Sequence, residues 1–155
     1  MKNLVEFCVG GLISVCFCSI VAAQEKKISR DKLPADVEKT VARESEGATI
    51  TEFARETEHG QTFYEASLMV NGRRKEILMD KQGNIVEVED EVSFDSLPQS
   101  VQDSLKRAAG SGNIRTIESL TKGGKLVAYE AHVKHGKKWS EIQVGPNGEK
   151  LKRPE

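Results

Sequence analysis

Cysteine is scarce in this sequence: there are only three, and all of them lie before residue 19. The surrounding segment is apolar and ends in Val21-Ala22-Ala23, which is typical of an export signal cleaved after Ala23. We therefore expect residues 1–23 to be a signal peptide and the protein to be periplasmic or secreted. An uncleaved membrane anchor is the alternative, since the apolar run is at the short end for a bilayer span.

The chain after Ala23 has no thiol. This excludes disulfides, a cysteine nucleophile and cysteine-ligated metals in the exported part. Many small exported domains depend on disulfides, so this one must fold by burying apolar side chains alone. No apolar run long enough to cross a bilayer follows the leader, and we expect no membrane contact after cleavage.

Histidine and aromatic residues are also rare, with three histidines and 5% aromatics. No serine or lysine stands in a recognisable pattern with an oriented base, and no glycine-rich phosphate loop occurs. We therefore predict no enzyme, no catalytic residue and no cofactor. Export and the few aromatics argue against nucleic-acid binding. Glu130 and His132 share a strand face and could form half of a metal site, but no sequence neighbour completes it, so no metal site is predicted.

Charge is distributed unevenly along the chain. Residues 31–95 carry a net charge of −8, whereas residues 96–155 carry +5. Such asymmetry can drive self-association or attract a charged partner, although two solvated faces explain it equally well. The acidic stretch Glu87–Asp95, "EVEDEVSFD", is interpreted as a strand end that runs into a linker.

An internal repeat organises the exported part. "LPADVEKTV" at 33–41 returns as "LPQSVQDSL" at 97–105, and "YEA" at 64–66 returns at 129–131. The offset is 64 residues and becomes 65 after one insertion. Because the matches extend over the whole unit, we predict a duplication, with units at 24–91 and 92–155.

Each unit is predicted to contain one helix followed by strands. The apolar residues at 37 and 41, and at 101 and 105, are four apart and share a helical face. The pattern then alternates with a period of two, and Asn71-Gly72 suits a type I′ hairpin turn. The spacing from Ile50 to Phe53, repeated from Ile114 to Ile117, indicates a bulge or a strand that enters from the helix. The predicted fold is α+β: two tandem repeats, each with one helix packed on a four-stranded antiparallel sheet.

These motifs, Leu-Pro-x-x-Val at the helix start, Tyr-Glu-Ala and the glycine-closed hairpins, resemble the PepSY-like family of exported bacterial proteins. The resemblance covers about residues 28–151, in two copies. It implies a fold like that of the β-lactamase inhibitor protein and a non-enzymatic protein- or peptide-binding module, such as a peptidase regulator or inhibitor. That inhibitor holds its target on a concave sheet surface.

The sheet face away from the helices is the predicted binding site for an unidentified protein or peptide of the cell envelope. Large apolar side chains on an exposed face mark interaction sites, and tryptophan is enriched at binding centres. Burial between the two units, or in a homo-oligomer, is the alternative for this face. A self-associating envelope protein and a ligand or metal sensor are the alternative functions. The predicted face comprises Phe63, Met69, Leu78, Leu126 and Trp139, with a charged rim of Arg73, Arg74, Lys137 and Lys138.

Overall fold

The computed structural model describes residues 26–58, 60–152 and 155, so the predicted leader lies outside the described residues. Eight antiparallel strands form one sheet, in which each strand pairs with the next along the chain. The strands are β1 (Lys26–Lys27), β2 (Thr49–Glu58), β3 (Gln61–Val70), β4 (Arg73–Asp80), β5 (Ile85–Glu91), β6 (Asn113–Lys122), β7 (Lys125–His135) and β8 (Lys138–Val144).

Two α-helices lie on one face of this sheet: α1 (Ala35–Glu44) and α2 (Gln99–Ala109). Each follows a short 3₁₀ turn and starts directly after a proline, Pro34 or Pro98, whose fixed φ suits the start of a helix. Within the described residues, neither helix has the length and apolar character needed to cross a membrane.

The predicted apolar helix faces form the core. Val37 and Val41 of α1, and Val101 and Leu105 of α2, are almost completely buried. Two clusters result, one beneath each helix. The first contains Val37, Val41, Phe53, Tyr64, Ala66, Leu68, Ile77 and Met79, and the second contains Leu97, Val101, Leu105, Ala109, Ile117, Ala131, Val133 and Val144.

The prediction of a separate four-stranded sheet in each unit was wrong, because strand β5 belongs to both units. Its last residues pair with β6, where Glu91 lies opposite Glu118. In the first unit the equivalent pair, 64 residues earlier, is Lys27 of β1 opposite Ala54 of β2. The backbone amide of Val92 then donates to the carbonyl oxygen of Ile117 at 2.9 Å. The end of the first unit is therefore the first strand of the second, which joins the two units into one sheet.

Among the described residues, the predicted fourth strand of the second unit is reduced to one isolated bridge, between Val144 and Lys150. Strand β8 consequently has no full-length neighbour on its outer side among the described residues.

The local predictions for the strands were confirmed. Register shifts occur between Ile50 and Glu52 and again between Ile114 and Thr116, as expected for repeated bulges. Asn71 and Gly72 both have positive φ, as a type I′ turn requires.

Candidate binding face

The sheet face opposite the helices carries a field of carboxylates, which we call the acidic face. Part of it is buried, since Glu118, Leu120 and Ala128 on this face are almost completely inaccessible to solvent. Residues that are opposite one another in an antiparallel pair share a face. The register places Glu65 opposite Leu78, and Glu76 opposite Glu89. The glutamates of this face are Glu52, Glu56, Glu65, Glu76, Glu87, Glu89, Glu91, Glu118, Glu130 and Glu141.

Strand β5 supplies the centre of the acidic face. Glu87, Glu89 and Glu91 alternate with Val88, which packs on the first core cluster. From the sequence, this stretch is interpreted as a strand end that runs into a linker. Strand β5 does end at Glu91, but it is paired on both sides and lies inside the sheet. Its alternation of acidic and apolar residues is the signal that could have placed the glutamates on one face.

Carboxylates lie directly opposite one another at several positions on this face. Glu76 faces Glu89, and Glu118 faces both Glu91 and Glu130. Like charges in such pairs repel each other and destabilise the sheet. A cation bound between these carboxylates would reduce the repulsion and stabilise the sheet.

The pKa values of three glutamates reflect this crowding. Burial, with the negative charge of Glu76, raises the pKa of Glu65 to about 7. Burial, with the charges of Glu118 and Glu87, raises the pKa of Glu89 to about 9. Burial also raises the pKa of Glu130. In each case loss of water around the carboxylate is the largest cause.

Basic side chains neutralise part of the acidic face. Arg74 contacts Glu76 at 2.5 Å, and its backbone amide donates to Glu91 at 3.0 Å. Lys122 lies 3.2 Å from Glu87. These contacts neutralise part of the negative charge at the edges of the acidic face. The cluster of Glu65, Glu76 and Glu89 still has more carboxyl groups than basic side chains.

His132 is surrounded by three of the carboxylates. Its Nε2 lies 3.0 Å from Glu118 and 3.5 Å from Glu130, and its Nδ1 lies 3.6 Å from Glu141. Glu118 is only 3% exposed. Sequence inspection paired Glu130 with His132 and missed Glu118, which comes from the neighbouring strand β6.

Some predicted contact residues do lie on this face. Phe63, Met69 and Leu78 are half-buried there, opposite Asp80, Arg74 and Glu87. Trp139 is 59% exposed on strand β8, with the ammonium group of Lys134 5.4 Å from its ring centre. The carboxylates of β5, β6 and β7 separate Trp139 from the other three, so the apolar residues do not form one patch.

The other predicted contact residues lie elsewhere. A register shift between Leu120 and Thr121 places Leu126 opposite Thr121, on the helix side of the sheet. Arg73 is opposite Val70, and Lys138 is opposite His135, so both also point to the helix side. Lys137 lies in the β7–β8 turn. Arg74 alone of the predicted basic rim faces the glutamates, where it pairs with Glu76.

Several solved structures share this fold. A protein of the DUF2874 family from Bacteroides ovatus has 18% identity and a TM-score of 0.61, over 79% of this chain and 86% of its own. A "putative periplasmic" protein from Bacteroides eggerthii has 15% identity and a TM-score of 0.64, over 77% and 86%. A protein from Bacteroides fragilis described as like the β-lactamase inhibitor protein has 20% identity and a TM-score of 0.55, over 75% and 81%.

A comparison with curated protein sequences gives no match. The family described as "Putative beta-lactamase-inhibitor-like, PepSY-like" matches twice, over residues 19–86 and 62–148. The two matches overlap over residues 62–86, which contain most of β3, all of β4 and the first two residues of β5. Together they span most of the sequence, and the chain therefore belongs to the PepSY-like family.

Proposed function

We propose that the protein is an exported, non-enzymatic binding module whose acidic face docks a positively charged segment of a partner protein or peptide. The observation that carries this proposal is the carboxylate field on the sheet face opposite the helices. Its inhibitor-type fold and the description of a similar structure as periplasmic agree with a binding role in the cell envelope.

Charge complementarity selects the class of partner. A lysine- or arginine-rich segment would be attracted by the carboxylates of Glu76 and Glu118, which flank Glu89 on the two neighbouring strands. It would also favour the ionised forms of Glu65 and Glu89, whose pKa values are raised. An acidic partner would meet the opposite effect.

A shallow polar depression in the first unit offers one place for a basic side chain. It has a volume of about 330 Å³ and is lined by Glu52, Glu65 and Glu76, together with Ser67 and Arg74. Trp139 stands at the other side of the face, where an exposed aromatic ring can cover the aliphatic part of a partner's side chain. The two features suit an extended segment that crosses the sheet.

A defined basic peptide tests this proposal. The exported protein is titrated with a twelve-residue lysine-rich peptide and with a glutamate-rich counterpart, by calorimetry and by the fluorescence of Trp139, the only tryptophan in the chain. We expect the basic peptide alone to bind, with an affinity that falls as salt is added. Absence of binding at low salt would refute the proposal.

A matched pair of variants locates the site. Replacement of Glu76, Glu87 and Glu91 by glutamine should weaken peptide binding at least tenfold. The control neutralises three acids outside the acidic face: Asp36→Asn, Glu46→Gln and Asp103→Asn. It changes the net charge equally and should alter binding less than twofold. Equal losses in the two variants, or concentration-dependent oligomers without peptide binding, would contradict the assignment and favour self-association.

A further inference from the structure

We propose that Glu118, Glu130 and His132 form a binding site for one divalent transition-metal ion of the Zn²⁺ type. The three residues come from two neighbouring strands, β6 and β7, and their ligand atoms all lie within 4.8 Å of one another. This site is a property of the second unit and does not depend on the proposed docking of a basic segment.

The distances fit a shared metal ion. Ligands about 2.1 Å from a metal lie ~3.0 Å apart at octahedral angles and ~3.4 Å apart at tetrahedral angles. The Nε2 atom of His132 is 3.0 Å from Glu118 Oε2 and 3.5 Å from Glu130 Oε1. The two carboxylate oxygens lie within 4.8 Å of one another and would have to close to ~3.4 Å to share a tetrahedral ion.

The donor chemistry favours a metal over a proton. Two carboxylate oxygens converge on one ring nitrogen, which can donate at most one proton. A dication can bind both oxygens and the nitrogen at once. Glu118 is 3% exposed, and a buried carboxylate needs a compensating positive charge. A bound dication would supply this compensation by direct contact with the carboxylate.

Neighbouring groups hold the ligands in orientation. The side-chain amide of Gln143 donates to the Oε2 atom of Glu130 at 2.6 Å, which leaves Oε1 directed at His132. Glu141 Oε1 lies 3.6 Å from His132 Nδ1, and a small approach would let Nδ1 donate its proton there. A metal ion would then take the place of the 3.0 Å hydrogen bond between Nε2 and Glu118. A carboxylate behind the histidine in this way is typical of zinc sites.

The ligand set also selects the class of ion. An imidazole nitrogen with carboxylates suits zinc and its first-row neighbours, whereas calcium and magnesium prefer sites made only of oxygen. Three protein ligands leave at least one coordination position open. His132 is 30% exposed on the acidic face, so that position is accessible from solvent.

Calorimetry and native mass spectrometry with Zn²⁺ test the site in tag-free exported protein. We expect one ion per chain with a Kd below ~10 µM, and no displacement by millimolar Ca²⁺ or Mg²⁺. Co²⁺ in place of Zn²⁺ should give visible absorption bands that report ligation by the protein. Binding weaker than ~1 mM would overturn the proposal.

Variants assign the ligands. His132→Ala and Glu118→Gln should each weaken Zn²⁺ binding at least tenfold and remove the Co²⁺ bands. His135→Ala is the matched control, because His135 lies on the same strand but faces Lys138 on the other side of the sheet. It should leave the affinity within twofold. Circular dichroism verifies that each variant is folded. Tight Zn²⁺ binding that persists in folded His132→Ala would refute this site, while peptide binding, measured separately, would stand or fall alone.

Discussion

Thr40 donates a hydrogen bond from its hydroxyl group to the carbonyl oxygen of Gly83, at 2.7 Å. The bond fastens α1 to the turn between β4 and β5. Its counterpart in the second unit joins Ser104 to Gly148 at 2.6 Å. The duplication has therefore preserved a buried polar contact as well as the apolar core, with a hydroxyl-bearing residue conserved between the units at the helix position.

The Thr40 contact predicts a loss of stability on replacement by valine. Thr40→Val keeps the shape of the side chain but leaves the Gly83 carbonyl oxygen without its donor in a buried site. We expect the free energy of unfolding to fall by about 1–2 kcal/mol, measured by urea denaturation. Thr57→Val, at an exposed position of β2, is the control. A loss no larger than that of the control would show that the bond contributes little.

The close approach of α1 to Gly83 leads us to expect that a larger residue at this position destabilises the fold. Its φ is +76°, and a Cβ there would collide with the carbonyl group of Asp36. We expect Gly83→Ala to reduce the free energy of unfolding by about 2–4 kcal/mol, from backbone strain and overpacking together. Gly124 has a similar φ of +75° with no atom near its Cβ position. Gly124→Ala should therefore cost only ~1 kcal/mol, and equal effects would rule out the steric contribution.

The shared strand β5 predicts that the two units unfold together. Val41→Ala creates a cavity in the first core cluster and should lower the free energy of unfolding by about 2 kcal/mol. Trp139 lies in the second unit and reports on it by fluorescence. We expect its transition to shift by as much as the transition seen by circular dichroism. An unchanged fluorescence midpoint in Val41→Ala would demonstrate independent units.

The sequence predicted the features that depend on local chemistry. The proline-started helices, the paired apolar residues at 37 and 41 and the repeated bulges are set by residues close together in the chain. The sharing of β5 could not be predicted in the same way. It depends on the pairing of residues 87–91 with 118–122 across a helix, and the alternating glutamates there also fit a solvated strand end.

The group of carboxylates around His132 could also be predicted only in part from the sequence. Glu130 and His132 are two apart on one strand, so alternation alone places them on one face. Glu118 is brought in by the register of β6 against β7, with Glu118 opposite Glu130. That register includes two shifts, and a displacement of one residue would turn Glu118 to the helix side. The third ligand therefore becomes visible only when the strands are paired.

We expect replacement of Trp139 by alanine to weaken partner binding without a loss of stability. Its side chain is 59% exposed and contacts Lys134, so Trp139→Ala removes little buried surface. We expect the melting temperature to change by less than about 2 °C. Binding of a lysine-rich peptide should weaken by about 1–2 kcal/mol, measured by calorimetry. The comparison variant for binding is Phe94→Ala, which removes an aromatic ring from the 3₁₀ turn before α2, where it packs on the second core cluster. Unaltered binding by Trp139→Ala would remove this residue from the proposed contact surface.

Because the pKa of Glu89 is raised in the folded protein, we expect the free energy of unfolding to fall as the pH rises. Burial and the charges of Glu118, Glu87 and Glu76 raise its pKa from 4.5 to about 9 in the folded protein. The folded state therefore holds this proton more tightly than the unfolded state does. The stability from the protonated carboxyl is complete below pH 4.5 and is lost progressively between pH 4.5 and 9. Glu65, whose pKa is raised to about 7, adds to the same trend.

We expect a lower melting temperature at pH 8 than at pH 5, measured by calorimetry in buffers of equal ionic strength. Glu89→Gln should raise the melting temperature at pH 8 by about 4 °C, because it removes the ionisation, and should have little effect at pH 5. Glu46→Gln, in the exposed turn after α1, is the control for replacing a glutamate elsewhere. The same increase at both pH values would mean that the carboxyl of Glu89 is ionised throughout this range.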